Sequence, residues 1–431
     1  MEPPAKPLSA PRGGRRAKGA PVSGPGGGPS ARRGVVIAGL GFGQILSWGS
    51  TFYLLAPLAA PIAADTGWPH PWVVGGVSVA LLVAALGSPA IGSLVSRNHG
   101  REVLAASALL LAGGLATLSL APNQWLYLGA WVILGAGMSG GLYSGAFAVL
   151  GHAYGSTARS SITALTLFGG FASTACWPLT TLLSNEFGWR WTCAAYAAAH
   201  LLVTFPLYVL LAPHGKASPE PAAEPHQGPP SGARQPGPLW LPVALIALIT
   251  TLGTSVSAVV SVHVFTLLAP LGASGAVAVG LAAAIGPSQV GARLVEFTLA
   301  RRRHPLWTML TAVTAITTAL ALLALGLGPL LLPMVVYGAG IGLNSIANGT
   351  VPLALVGQER YARTMGRIAL PSLLAQAAAP VWGTSLISGW GEKPTLLVLA
   401  AMSLAAAVLT LWLMLIHRRS SRLLPAPGTP S

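Results

Sequence analysis

What this sequence has least of is charge. Only 8% of its 431 residues are charged and nine are acidic, whereas 53% are hydrophobic. A water-soluble chain of this length needs far more charge to cover its surface, so water is not its main solvent. Cysteine is almost missing as well. Cys176 and Cys193 both fall in apolar segments, and no CxxC or Cys/His cluster with metal-ligand spacing occurs. Neither a disulfide scaffold, a structural metal nor a cofactor is expected. The sequence also carries no HExxH and no paired carboxylates within an apolar run, which argues against an intramembrane enzyme. Residues 1–33 are mostly Pro, Gly, Ala and Arg and do not run at once into an apolar stretch. They read as a disordered basic cytoplasmic tail rather than a secretory signal.

What is abundant is glycine, alanine and long apolar runs. Glycine, with 53 copies, lets helix backbones approach closely in lipid, where close packing drives association. Runs long enough to span a bilayer occur near residues 35–60, 72–96, 103–121, 124–151, 160–184 and 191–212. A Pro-rich polar stretch at 213–238 follows. Six more runs lie near 239–268, 274–300, 305–327, 330–356, 366–389 and 394–416. The expected fold is therefore an all-α membrane protein of twelve transmembrane helices. Its expected parts are a six-helix bundle over 34–212, a cytoplasmic linker over 213–238, a second bundle over 239–417 and a cytoplasmic tail over 418–431.

Net charge is +15, which raises the question of nucleic acid. The basic residues, however, sit in short loops and tails rather than on one soluble face, so no nucleic-acid partner is expected. With the N-terminus in the cytoplasm, 21 of the 24 Lys and Arg residues fall in cytoplasmic segments. Arg190 and Lys393 fall outside and Arg293 lies within a run, so the positive-inside rule holds throughout. Both termini are expected in the cytoplasm, with the chain in the plasma membrane, or in the inner membrane of a prokaryote.

The two halves repeat one another weakly. Leu54-Leu55-Ala56-Pro57-Leu58 matches Leu267-Leu268-Ala269-Pro270-Leu271, and Gly135-Ala136-Gly137 matches Gly338-Ala339-Gly340. Gly87 and Gly92 match Gly286 and Gly291 at a similar offset. Helix count, topology, central linker and repeat together resemble the major facilitator superfamily of secondary transporters. That resemblance implies two parallel six-helix repeats with a substrate site at their interface near mid-membrane. It covers roughly residues 35–416.

Three motifs extend the resemblance. Gly92-Ser93-Leu94-Val95-Ser96-Arg97-Asn98-His99-Gly100-Arg101 is similar to the superfamily's cytoplasmic signature, whose charge-paired clasp holds the inner gate closed. Gly92, Arg97, Gly100 and Arg101 are the gating candidates on that basis, with Glu296 of the eighth run as a fifth. Ser96 stands where the family has an acid and one extra residue precedes Gly100, so the alternative is a basic loop that fixes topology. A tight turn at Gly100 fits either reading. Gly169-Gly170 followed by Pro178 resembles the glycine and proline pattern of the superfamily's exporters, with helix packing as the alternative. In the eighth run, Gln289, Arg293 and Glu296 stand at i, i+4 and i+7 on one face. Arg293 lies about 10 Å from the inner end at about 1.5 Å per residue, so it needs a partner, and Glu296 is expected to supply it. Gln289-Val290-Gly291-Ala292-Arg293 also resembles the Asp-x-x-x-Arg of the proton-linked monocarboxylate branch, as does Thr66-Gly67-Trp68 more generally. The resemblance implies that Arg293 holds a substrate carboxylate, while Gln289 replaces the residue that takes the proton.

Polar stripes supply the remaining candidates. The first run carries Gln44, Ser47, Trp48 and Thr51, and the tenth carries Tyr337, Asn344 and Asn348. The seventh run has Thr250, Thr254, Ser257 and Ser261, and the fourth has Ser139 and Tyr143. In the superfamily these four helices line the cavity, which makes Gln44, Trp48, Thr51, Tyr143, Ser257, Tyr337, Asn344 and Asn348 substrate-binding candidates beside Gln289 and Arg293 of the eighth run. Plain interhelical hydrogen bonding is the alternative for about half of them. His263 reads as a packed neutral histidine or a proton carrier, and Asp65 as a helix cap or an outer-gate acid. The expected function is secondary active transport of a small solute, an organic anion in the first instance, by alternating access with a proton or another ion as coupling partner. Efflux of a drug or metabolite, a receptor or scaffold on the same fold, and soft-metalloid binding through the two thiols are the competing readings.

Overall fold

The computed structural model describes residues 29–154, 158–213, 240–299, 304–356 and 358–422, and no strand occurs among them. Most of the expected N-terminal tail, nearly all of the linker and the last residues of the C-terminal tail lie outside the described residues. The first helix begins at Pro29, inside the expected tail, and the last runs to Arg422, past the expected boundary at 417.

Each of the twelve apolar runs is helical, yet several are broken. The first is α1 (Pro29–Gly49) and α2 (Leu55–Thr66), followed by α3 (His70–Ser96) and α4 (Gly100–Ser119). The fourth is split into α5 (Gln124–Gly141) and α6 (Tyr143–Tyr154), and α7 (Ala158–Gly170) leads into α8 (Ala172–Ala199). Gly188, at φ 82°, divides α8 into two rods. A π-helical turn over His200–Thr204 joins α8 to α9 (Phe205–Leu211). Beyond the linker come α10 (Trp240–Leu268), then α11 (Gly275–Ala283) and α12 (Ile285–Leu299), which share the eighth run. The chain ends with α13 (Pro305–Leu325), α14 (Leu331–Val356), α15 (Gln358–Trp390) and α16 (Glu392–Arg422). Among the described residues nine helical segments are long and apolar enough to cross a membrane, one of them the 48-residue Ala164–Leu211 that Gly188 divides.

The breaks have local causes and consequences. At Leu142 the backbone is extended, and Gly145 packs so closely on Gly140 that a Cβ there would clash with the Gly140 carbonyl. At the α11–α12 break Pro287 has no N–H, which leaves the Ala283 carbonyl without its helical donor. The Thr174 hydroxyl on α8 donates to that carbonyl at 2.8 Å. Backbone groups freed within lipid must find such partners, because no water replaces them.

Glycine sets the packing inside each half, and the two halves use it alike. A Cβ at Gly135 would lie 2.5 Å from the Ala80 carbonyl on α3, and one at Gly338 would lie 2.6 Å from the Ile285 carbonyl on α12. Gly137 meets Leu111 on α4 as Gly340 meets Ile316 on α13. The sequence repeat is thus a repeat of packing: each GxG lays the fourth helix of its half against the second and third.

Between the halves, α3 packs on α15, α7 and α8 on α11 and α12, and α2 on α10. We call the end that carries the linker the linker side and the opposite end the far side. Arg33–Ser161 and Asn98–His152 contacts mark the first, and Asp65–Arg190 and His70–His263 contacts the second.

Gly135→Ala and Gly338→Ala are each expected to destabilise the protein by about 1–3 kcal/mol through overpacking. Gly129→Ala, where a Cβ meets nothing within 4 Å, is expected to be neutral or stabilising. Thermal melting of the three variants in detergent checks this; equal melting points would remove the role given to the GxG pairs.

Candidate functional site

The interrupted helices converge at mid-depth. Tyr53, in the break between α1 and α2, accepts a hydrogen bond on its carbonyl from Trp177 Nε1 at 3.1 Å. With Ser173 and Trp177 of α8, Ser257 and Ser261 of α10, Ile285 and Gln289 of α12, and Tyr337 of α14, it lines a small, water-sized cavity between the two halves. The Tyr337 hydroxyl, on a residue only 3% exposed, lies beside Ser257 without hydrogen-bond geometry to any partner. On the far side the cavity is capped by Tyr53 against Trp177, ring centroids 5.4 Å apart, and by Trp177 against Phe265 at 5.8 Å.

One turn toward the linker side from Gln289 lies Arg293, which is 8% exposed. Its Nη1 donates to the Thr166 carbonyl at 2.6 Å, across the seam between the halves. Nε reaches the Gly342 carbonyl at 3.4 Å and Nη2 the Gln289 side-chain oxygen at 3.5 Å. Thr166 stands one turn before the bend at Phe171 where α7 runs on into α8, so a main-chain carbonyl dipole faces the guanidinium. The Tyr143 hydroxyl donates to the same carbonyl at 3.4 Å, and its ring lies tilted against Trp48 at 5.0 Å and stacks on Phe147 at 5.0 Å. Gly170 admits this approach, since a Cβ there would lie 3.4 Å from Arg293 Nη1 and 2.9 Å from Val290.

The expected Arg293–Glu296 pair is not formed. Glu296 accepts a hydrogen bond from Thr308 on α13 instead, within its own half. The reason is geometric: three residues on, its side chain faces α13 while Arg293 faces the seam. Arg293 therefore carries its charge into the site with carbonyls and an amide as its neutral partners.

The sequence matches the model of the Major Facilitator Superfamily over residues 40–370. The chain belongs to the major facilitator superfamily. Among solved structures of this superfamily's fold, the nucleoside transporter NupG aligns at TM-score 0.67 and 16% identity, covering 89% of this chain and 99% of that one. A bacterial homolog of the human lysosomal transporter Spinster, inward-facing and occupied, aligns at 0.67 and 14%, covering 93% and 100%. The human organic anion transporter MFSD10 aligns at 0.61 and 18%, covering 89% and 99%. No curated protein matches the sequence. This is accordingly a multi-pass membrane protein of a transporter superfamily, and its medium is the bilayer.

Within that superfamily fold the sequence candidates separate into two groups. Ser257, Gln289 and Tyr337 line the cavity, whereas Arg293, Tyr143 and Trp48 do not line it but meet one another one turn toward the linker side. Gln44 instead donates to the Gly141 carbonyl at 2.7 Å, and Thr51 turns back to the Ser47 carbonyl; both are fully buried in helix packing. Asn344 packs against Gly253 of α10, and Asn348 holds a buried side-chain oxygen without a partner. The cavity also recruits Tyr53, Trp177 and Ser173, none of which lies on a polar stripe. Gly169 accommodates the Tyr143 ring and Gly170 the eighth run, so the glycine pair of the fifth helix serves packing.

The signature loop departs from expectation. Its left-handed residue is Asn98, at φ 69°, not Gly100. Gly100 opens α4 with a Cβ position 3.0 Å from Val149 of α6, so close approach rather than a tight turn demands glycine. Arg97 is exposed, Gly92 borders open space, and Ser96 caps back onto Ser93. The loop is tied to α6 by Asn98 Oδ1 and His152 Nε2 at 2.7 Å. Asp65 is neither a cap nor a free gate acid. It accepts from Trp189 Nε1 at 2.9 Å and pairs with Arg190 at 3.8 Å.

Asn98→Ala should lower stability by about 1–2 kcal/mol, since alanine is strained in the left-handed region and loses the bond to His152. Asn98→Gly should recover most of that loss. Melting curves of the two variants decide it, and a harmless alanine would mean the loop is held elsewhere.

Proposed function

We propose that the protein moves a small anionic solute across the membrane by alternating access, and that Arg293 receives its negative group. The observation that carries this reading is a buried guanidinium beside the central cavity whose partners are carbonyls and an amide. An arginine at this depth costs at least about 2.5–3.5 kcal/mol on insertion scales. Neutral carbonyls offset only part of that cost, so an anion that reaches the guanidinium gains the remainder. Gln289 offers an amide N–H to the same group, and Tyr337 and Ser257 offer hydroxyls to the rest of the solute. The fold shared with a nucleoside transporter and an organic anion transporter accommodates either kind of solute, and the uncompensated positive charge favours the anion. Alternation follows from the two halves, each braced internally by glycine packing, meeting at a seam of few polar bonds. Release of Arg293 from Thr166 by an arriving anion would free the linker side of that seam. We place both termini and the linker in the cytoplasm, in the plasma membrane.

Thermal-shift measurements on purified protein with small carboxylates, nucleosides and quaternary ammonium compounds test the solute class. Carboxylates are expected to stabilise the wild type, Arg293→Gln to bind them at least about tenfold more weakly, and Arg293→Lys to fall between because it keeps the charge but loses the fork. Equal stabilisation of Arg293→Gln, or stabilisation by cations alone, would sink the anion site. For topology, a tag at Gly228 should be reached only from the cytoplasm and one at Gly391 only from outside. Labelling of both from one side contradicts the orientation.

A further inference from the structure

Two histidines that the central cavity does not use face one another across the far side of the seam. His70 is the first residue of α3 in the N-terminal half, and His263 lies near the far end of α10 in the C-terminal half. Their ring centroids are 6.4 Å apart. His263 is 2% exposed, and its Nε2 meets the Pro380 carbonyl at 3.0 Å and the Thr384 hydroxyl at 3.3 Å, both on α15. A carbonyl only accepts, so Nε2 carries the proton and the neutral ring keeps its lone pair on Nδ1. Gly383 leaves room for the ring, with a Cβ position 3.2 Å from His263 Cδ2.

We infer that His70 and His263 form a proton-binding contact that closes the far side of the seam between the two halves and loosens when it is protonated. This rests on the alternating-access reading in that it requires the halves to part on the far side. With the far side closed, the His263 ring is enclosed between α10 and α15 and faces the half-buried His70 ring. A proton on either places a charge in that seam, and a second proton adds repulsion at close range. Parting the halves lets water reach both rings. Protons therefore bind more tightly to the parted form, and acid shifts the population toward it.

The surrounding groups leave this pair without a counter-charge. α10 has no titratable residue other than His263, and α11 has none. α15 presents Pro380 and Thr384 here and carries its charged residues within 358–367, at the linker side. α14 offers Tyr337, and α16 begins with Glu392 and the exposed Lys393. Around α3, Asp65 of α2 is engaged by Arg190 and Trp189, and Tyr127 of α5 donates to the Val73 carbonyl. α4 holds Arg101 and Glu102, and α6 holds His152, at the linker side; Tyr143 of α6 sits at the central cavity and Tyr154 beside Arg33. His70 is the titratable group whose charge acts on His263.

The test is a distance across the far side in the full-length protein. In a Cys176→Ala, Cys193→Ala background, spin labels at Leu120→Cys and Leu327→Cys report on the two halves from positions 77% and 53% exposed. Pulsed electron resonance in nanodiscs is recorded between about pH 8 and pH 5, the range in which histidine titrates. The ratio of long to short distances is expected to rise on acidification by up to about tenfold per pH unit for each proton taken up by the parted form. His70→Gln and His263→Gln are each expected to flatten that response. His70 is half-buried at a helix start, so its variant tests the idea even if the His263 variant fails to fold. An unaltered pH response in His70→Gln, or no response in the parent, overturns the inference. Phe265→Ala, which weakens the Trp177 cap, separates the two readings. If it lengthens the distance while acid does not, the halves part without this contact and alternating access stands. If neither lengthens it, alternating access falls as well.

Discussion

A single cation at mid-depth, held by backbone carbonyls, is the constraint on which the centre of this molecule depends. For α12 to come near enough for Arg293 to meet Thr166, position 170 has to lack a side chain. The Tyr143 hydroxyl then shares that carbonyl, and the contact of Tyr143 with Trp48 brings the first and fourth helices together there. Placing the arginine elsewhere would leave a bare charge in apolar surroundings, which costs several kcal/mol. The carbonyls offset part of this and leave a positive charge one turn from the cavity.

The rest of the fold divides into places that are tight and places that are loose. Within each half, carbonyls and side chains press on Gly135, Gly137, Gly338 and Gly340 with no room for a methyl group. Between the halves, besides the packing of α3 on α15 and of α2 on α10, the described contacts include a hydroxyl on a carbonyl at Thr174, the guanidinium on Thr166, and rings meeting edge to face at Trp177 and Phe265.

Much of this was legible before any coordinates. Apolar run length placed a helix in each run but not the breaks within them, and the GxG repeat located the tight packing, because both depend on local composition and spacing. The depth of Arg293 was also readable, since an arginine within an apolar run has little latitude. Its partner was not. Helical spacing put Glu296 on nearly the same face, but the choice between α13 and the seam depends on which neighbour each side chain meets. Gly100 was misjudged for a similar reason: a glycine beside a turn suggests positive φ, and here Asn98 takes that conformation while Gly100 yields space to Val149. Tyr53 and Trp177 escaped notice because helix breaks, not polar periodicity, aim them at the cavity.

Both hydrogen bonds that side chains throw across the fifth and eighth runs end on main-chain oxygens, those of Thr166 and Ala283. A main-chain acceptor is indifferent to the side chain it belongs to. Positions 166 and 283 are thus free to vary among relatives without cost to these bonds, and pairwise covariation would find no partner for Arg293 or Thr174. The Ala283 acceptor is governed from a distance of four residues, by Pro287: any other residue there restores an N–H to the helix and takes the carbonyl back. The joint between the halves is therefore encoded in where helices stop and where a proline sits, a grammar of backbone rather than of side-chain pairs.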